Sequence, residues 1–312
     1  MTTAFVFPGQ GSQAVGMGQE LASALPEARE VFEEVDDALG VKLSSIMWEG
    51  PSETLTLTEN AQPALMAVSV AVARAIEKGG FGIQDKVSFV AGHSLGEYSA
   101  LTAAGALTLA DAARLLQRRG QAMQRAVPVG EGAMAALLGA EFELAQEIAA
   151  AAADDGVCQV ANDNGGGQSV LSGSRAAVDR AIVISKEKGV RRAMPLPVSA
   201  PFHCALMQPA ADEMAEALAG ISIAEPVVPV VANVTAAAVS NPDQIQALLV
   251  EQVTKMVRWR ESVLFMRDQG VDRLIELGAG KVLGGLTKRI DRDISAASIG
   301  GPHDIDEFFK SL

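Results

Sequence analysis

The sequence predicts an α/β protein in two parts, and three observations carry that expectation. Short apolar runs alternate with helix-period segments along most of the chain. The pentapeptide Gly92-His93-Ser94-Leu95-Gly96 directly follows the apolar run Val87-Ser88-Phe89-Val90-Ala91, and between Gly130 and Pro197 the alternation changes rhythm. Alternating strands and helices form a mostly parallel sheet covered on both faces. GxSxG between a strand and a helix is a nucleophile elbow, which lifts a serine clear of the sheet. We therefore expect a large α/β-hydrolase-like domain, discontinuous over residues 1–129 and 198–312, with a small ferredoxin-like domain of residues 130–197 inserted in it.

In chain order, Thr3 to Phe7 reads as a strand, followed by a Gly-rich loop to Gly18 and helical stretches through residue 40. A helix then starts at Gln62-Pro63, where proline suits a first turn, and reaches about Glu77. After the elbow helix (Glu97 to Leu101), Thr108 is placed to cap a segment ending near Arg125. The expected insert is strand Ala133–Leu138, helix Glu141–Ala152, strands Val157–Asn162 and Gln168–Ser172, helix Ser174–Lys188 and strand Arg192–Leu196. That βαββαβ order is the ferredoxin-like unit, with its middle strands joined by the turn Asp163-Asn164-Gly165-Gly166-Gly167. The large domain resumes with helix Leu206–Leu218, strand Val227–Ala232, helices through about Gln269, strand Arg273–Leu277 and a short helix opened by Gly278-Ala279-Gly280.

Composition narrows the function. The 312 residues carry 25 Lys and Arg against 38 Asp and Glu, a formal charge of −13, which disfavours nucleic acid and anionic membrane as partners. The cysteines, Cys158 and Cys204, fit neither a disulfide framework nor a zinc site and suit a reducing cytoplasm. The N-terminus has no signal-peptide pattern, and no apolar stretch is long enough to span a membrane.

A serine hydroxyl needs a base, and the chain offers His93, His203 and His303. His93 adjoins Ser94 and should serve the turn, while His303 lies near a C-terminus expected at the surface. His203, in Ala200-Pro201-Phe202-His203-Cys204, is left as the general base. Asp154, Asp155, Asp163 and Asp179 lie between Ser94 and His203 but fall in the expected insert, none at the end of a large-domain strand, so a neutral acceptor should orient the imidazole, giving a dyad. The loop Pro8-Gly9-Gln10-Gly11-Ser12-Gln13 leaves the first strand at the same sheet edge as the elbow, but lacks dinucleotide or P-loop spacing. Arg114, Arg118 and Arg119 share a helix; a guanidinium turned inward would fork a carboxylate, and spacing alone does not choose among them.

These motifs, in this order, are similar to those of the malonyl-CoA:acyl carrier protein transacylases, the malonyl-loading enzymes of bacterial type II fatty acid synthesis. The resemblance covers essentially the whole chain: Phe7-Pro8-Gly9-Gln10-Gly11-Ser12-Gln13, Gly92-His93-Ser94-Leu95-Gly96-Glu97-Tyr98, Arg118-Arg119-Gly120, Val160-Ala161-Asn162, Ala200-Pro201-Phe202-His203-Cys204, and Gln252 ahead of Val257-Arg258-Trp259. It implies Ser94 as the acylated nucleophile, His203 as base and Gln252 as the residue whose carbonyl holds the imidazole. It also implies an oxyanion hole of the Gln10 and Leu95 N–H groups, and Arg119 as partner of the malonyl carboxylate. Phe202 takes only a packing role in the acyl pocket. The implied reaction is ping-pong transfer of malonyl from coenzyme A to the phosphopantetheine thiol of acyl carrier protein. No metal or organic cofactor, a cytoplasmic setting and a monomer are expected. Lys186, Lys188, Arg191 and Arg192, with Lys288-Arg289, are candidate docking charges for the acidic carrier. The rival readings are a serine hydrolase or thioesterase, a polyketide-type acyltransferase module, disfavoured by clean chain ends, and a non-catalytic carrier-binding protein.

Overall fold

The computed structural model describes residues 2–154 and 156–312; Asp155, one of the aspartates named above, lies outside the described residues. Ten strands form two sheets among them. In chain order these are β1 (Thr3–Phe7), β2 (Phe89–Gly92), β3 (Gly132–Leu138), β4 (Cys158–Asp163), β5 (Gln168–Ser174), β6 (Arg192–Pro195), β7 (Val230–Ala232), β8 (Ala237–Val239), β9 (Arg273–Leu277) and β10 (Ser295–Ile299). The larger sheet has the order β10-β9-β1-β2-β7-β8 and is parallel except for β8, which folds back antiparallel on β7. The smaller, β4-β5-β3-β6, is antiparallel throughout.

Period-two patterning sets the faces of the large sheet. Phe5, Phe7 and Val90 pack into the core that includes the helix Thr58–Lys78, while Ala4, Val6, Ala91 and Val231 pack into the one formed with Trp259, Val263 and Met266. The Thr58–Lys78 helix is buried on nearly every side, which is why it reads as apolar all round. The small sheet has its own cluster, with Ala135, Leu137 and Leu171 packed with Ile148, Val178 and Ala181. It is stitched to the rest where Val257 bonds β4, its N–H reaching Ala161 O (2.9 Å) and its carbonyl accepting from Asp163 N–H (3.0 Å).

Several boundaries differ from expectation. The second strand begins at Phe89, because Val87 N–H closes the short helix Ile83–Lys86 by bonding Ile83 O at 3.0 Å. β7 begins at Val230, since Val227 N–H is spent on Ala104 O (2.9 Å) in the connection. Pro63 lies inside its helix, which starts at Thr58 rather than Gln62. The helix expected from Leu206 is a 3₁₀ turn, Ala205–Met207, followed by Gln208–Ala219. β8 and β10, built from Ala237-Ala238-Val239 and Ser295-Ala296-Ala297-Ser298-Ile299, carry too few branched or aromatic residues to announce themselves.

The ends of β1, β2, β7 and β9 share one edge of the sheet because those strands are parallel. At that edge the chain leaves β2 through the elbow and enters the helix Gly96–Ala103 with almost no clearance. A Cβ on Gly92 would lie 1.9 Å from the backbone of Gly96, and one on Gly96 would lie 2.2 Å from Phe7 O. Only hydrogen fits at either place.

Gly96→Ala should therefore cost about 3 kcal/mol of stability or prevent folding. Gly285→Ala, in the helix Val282–Ile290 with nothing within 4 Å of the added carbon, should be neutral or gain up to about 1 kcal/mol. Chemical denaturation of both variants checks the contrast.

Candidate active site

Ser94 sits at the turn of the elbow with φ 54°, a left-handed conformation that a serine adopts only when its surroundings hold it. The holding is done through its own backbone. The Ser94 N–H donates to Asn233 Oδ1 (2.8 Å), and the Ser94 carbonyl accepts from Gln252 Nε2 (3.0 Å). Asn233 is the first residue beyond β7, and its Nδ2 also donates to Gly92 O at 2.6 Å, so one side chain spans the elbow.

The Ser94 hydroxyl lies 2.7 Å from His203 Nε2. The other ring nitrogen, Nδ1, faces two backbone carbonyls, Gln252 O at 2.8 Å and Lys255 O at 3.1 Å. Carbonyls only accept, so Nδ1 carries the proton and Nε2 presents its lone pair to the serine. Gln252 caps the C-terminus of the helix Pro242–Glu251, where unpaired carbonyls form the negative end of the helix dipole and favour an imidazolium once it forms. Of the aspartates in residues 130–197, Asp163 is buried and pairs with Arg260 at 2.8 Å, while Asp154 and Asp179 are exposed.

Arg119 is 1% exposed, whereas Arg118 faces Glu213 and Glu216 at the surface, and Arg114 faces Asp111. The Arg119 guanidinium donates from Nη1 to Gln62 Oε1 (2.7 Å), and from Nη2 to Gln252 Oε1 (2.8 Å) and Ser94 Oγ (3.2 Å). Its Nε has no partner and no carboxylate touches it, among the described residues. Burial pulls its pKa down, while Tyr98 and Glu97 push it back up. Glu97 is buried behind the elbow; its Oε2 accepts from Gln252 Nε2 (2.8 Å) and from Asn233 N–H (3.1 Å). Burial pushes this carboxyl up to about 7, against the downward pull of Gln252, Asn233 and Arg119.

Ser94, His203 and Arg119 open into a cavity of about 360 Å³, which Gln10 and Leu95 also line. Among the described residues, neither the Gln10 nor the Leu95 N–H meets a protein acceptor. Met123, Met134, Leu196, Val198 and Phe202 supply apolar wall. His93 turns away from Ser94: its Nε2 lies 2.9 Å from Asn164 Oδ1 and its ring packs on Trp259. His303 is exposed. Among the described residues, no group of His, Cys, Asp and Glu is arranged to hold a metal ion, and no helix is long and apolar enough to cross a membrane.

The structure thus brings Ser94, His203, Gln252, Gln10, Leu95 and Arg119 together. It adds Asn233, Glu97, Gln62 and Lys255, which the sequence reading did not single out. Asn233 directly follows Val230-Val231-Ala232, and a polar residue at a strand's carboxyl end is a signal that could have marked it. Glu97 stands in an otherwise apolar or small stretch, a weaker signal. Lys255 acts through its backbone and leaves none.

A parallel sheet with an elbow serine, a histidine held by carbonyls and two unpaired N–H groups beside them defines an acyl-transfer site. The chain belongs to the acyl transferase domain family, which matches residues 4–300. It is 44% identical to a malonyl CoA-acyl carrier protein transacylase of Bacillus subtilis, over 99% of this chain and 96% of the relative. Among solved structures it is similar to an acyl-carrier-protein S-malonyltransferase from Bartonella henselae, with TM-score 0.98 and 55% identity over 100% of this chain and 99% of that one. It is likewise similar to a malonyl-transacylase solved in complex with a type II PKS acyl-carrier protein, with TM-score 0.97 and 43% identity over 100% of both chains.

Burial and then the Arg119 charge lower His203 from 6.5 to about 3, against the upward pull of the Gln252 and Lys255 carbonyls. The folded site keeps the ring neutral while the unfolded chain protonates it. Its contribution to stability is therefore present above pH 6.5 and lost as pH falls from there towards 3. Denaturation at about pH 7 and about pH 5 should show a smaller acid loss for His203→Gln than for wild type.

Proposed function

We propose that this protein moves a malonyl group from coenzyme A to the phosphopantetheine thiol of acyl carrier protein in fatty acid biosynthesis, through a malonyl-Ser94 intermediate. The observation that carries this reading is Arg119: a buried guanidinium beside the nucleophile, held by two amides and without a carboxylate in contact among the described residues. A malonyl thioester brings its reacting carbonyl and a carboxylate together, and so suits a site with a nucleophile and an unneutralised cation side by side. Acetyl lacks the carboxylate and leaves the buried charge unpaired.

In the first half-reaction, His203 Nε2 takes the Ser94 hydroxyl proton as Oγ attacks the thioester carbonyl. The oxyanion is received by the Gln10 and Leu95 N–H groups, the second at the start of the helix Gly96–Ala103. Collapse breaks the carbon–sulfur bond, and the coenzyme A thiolate takes the proton from Nε2. Throughout, Nδ1–H stays on the Gln252 and Lys255 carbonyls, which keeps the ring in register for both transfers. The carrier's thiol then gives its proton to Nε2 and attacks the serine ester; collapse returns the proton to Ser94. Thioester and ester are close in energy and the serine supplies the nucleophile, so the reading requires no metal or organic cofactor.

The β4-β5-β3-β6 order and separate core support a ferredoxin-like unit of residues 130–197 in an α/β-hydrolase-like domain of residues 1–129 and 198–312. The unpaired Cys158 and Cys204 fit a reducing cytoplasm, and we take the working unit to be a monomer.

Labelled malonyl-CoA without carrier should leave a persistent acyl-Ser94; prompt release of malonate would indicate a hydrolase instead. Arg119→Ala should cut the preference for malonyl over acetyl by at least tenfold, about 1.4 kcal/mol. An unchanged preference would remove Arg119 from the account.

For the carrier, two basic groups adjoin across the glycine turn of the small sheet. Arg191 lies against Gly139, whose N–H bonds Gly167 O at 2.7 Å, and Arg289 lies against Gly166. Lys188 is engaged by Glu147 at 3.1 Å. Reversal of Arg191 and Arg192 to Glu should slow transfer to acyl carrier protein several-fold while leaving Ser94 acylation by malonyl-CoA unchanged; equal loss in both half-reactions would refute the docking role.

A further inference from the structure

We infer that Glu97 is a positioning residue for substrate selection: by fixing which way the Gln252 amide points, it sets the Arg119 guanidinium over Ser94 for a carboxylate-bearing acyl group. The inference rests on the malonyl reading and deepens it.

The Gln252 side chain is fully buried and meets three fixed groups. Its Nε2 donates to Glu97 Oε2 (2.8 Å) and to Ser94 O (3.0 Å), and its Oε1 accepts from Arg119 Nη2 at 2.8 Å. Turning the amide over would put an NH₂ against a guanidinium N–H, and an oxygen against both a carbonyl and a carboxylate. Every contact would become repulsive. Ser94 O and Arg119 favour one sense, and Glu97 Oε2, which already accepts the Asn233 N–H, enforces it as the second acceptor facing the Gln252 NH₂.

The same carboxylate oxygen accepts the Asn233 backbone N–H at 3.1 Å, and Asn233 Oδ1 holds the Ser94 N–H at 2.8 Å. Glu97 therefore bonds both residues that grip the Ser94 backbone, Gln252 through its side chain and Asn233 through its main chain. Neither Ser94 Oγ nor the cavity touches it: the cavity is lined by Ser94, Arg119 and Gln62, and Glu97 is 3% exposed behind them. Its effect reaches the substrate through Gln252 and Arg119, not through contact.

A merely structural role would lower transfer of every acyl group together, whereas a positioning role acts where Arg119 matters. The test is single-turnover acylation of Ser94 by malonyl-CoA and by acetyl-CoA in wild type, Glu97→Gln, Gln252→Leu and the double variant. A glutamine at 97 keeps the shape but accepts either amide sense. Leucine at 252 removes the amide and keeps the backbone carbonyl that holds His203. Glu97→Gln should lower the malonyl-to-acetyl ratio of kcat/KM at least tenfold, mainly through a raised KM for malonyl-CoA. Gln252→Leu should lose the ratio to the same degree, and the double variant should lose no more than either single change. An unchanged ratio in Glu97→Gln, a fully additive double variant, or a wild-type ratio in Gln252→Leu would each overturn the inference. Because Gln252→Leu leaves Glu97 in place, it keeps the inference falsifiable even where Glu97→Gln does not fold. A wild-type enzyme without malonyl preference would instead sink the malonyl reading itself.

Discussion

The closeness of the elbow helix to the sheet is the constraint on which the rest depends. With Gly92 and Gly96 in contact with each other and with the end of β1, the chain can pass from strand to helix only through a left-handed residue. Ser94 is that residue. The strain is offset by bonds to its N–H and carbonyl, and those bonds recruit Asn233 from just beyond β7 and Gln252 from a helix C-terminus, each more than a hundred residues away. Everything else at the site hangs on those two side chains.

From this frame the electrostatics follow. Gln252 serves four groups at once: its backbone carbonyl takes the His203 Nδ1–H, its amide oxygen takes Arg119, and its amide NH₂ takes Ser94 O and Glu97. The use of carbonyls rather than an aspartate behind the histidine has a physical rationale. A carboxylate placed there would be a rival partner for the buried Arg119, and would neutralise the charge that the acyl group's own carboxylate is to meet. Carbonyls orient the ring without offering that alternative, and the helix end supplies partial negative charge in place of a full one. Glu97 answers the guanidinium from behind, at the distance of one intervening amide.

Much of this was legible in the residues. GxSxG after an apolar run identified the elbow because its glycines are demanded by local sterics, which depend on near neighbours only. Scarcity of histidine singled out His203, and the unbroken apolar run Ala4-Phe5-Val6-Phe7 marked a strand. The short strands β8 and β10 escaped because their alanines and serines carry little pattern; they are strands because β7 and β9 offer them open edges. Pro63 misled because an all-buried helix can bear proline one turn in, where tertiary packing outweighs the start signal.

The choice of Arg119 over Arg114 and Arg118 shows where local reasoning stops. By sequence pattern the three are equivalent helix cations; only the packing of that helix decides which one is sealed in and which two meet Glu213, Glu216 and Asp111 outside. Asn233, Gln62, Glu97 and the Lys255 carbonyl likewise acquire their places from chain segments distant in sequence. The sequence by itself determined the strand, elbow and helix and pointed to the pairing of Ser94 with His203, because each depends on residue type and near-neighbour geometry. Tertiary structure alone decided which groups the Ser94 backbone leans on and which way the intervening amide points, because a buried hydrogen bond is specified jointly by two partners that have no sequence relation to each other.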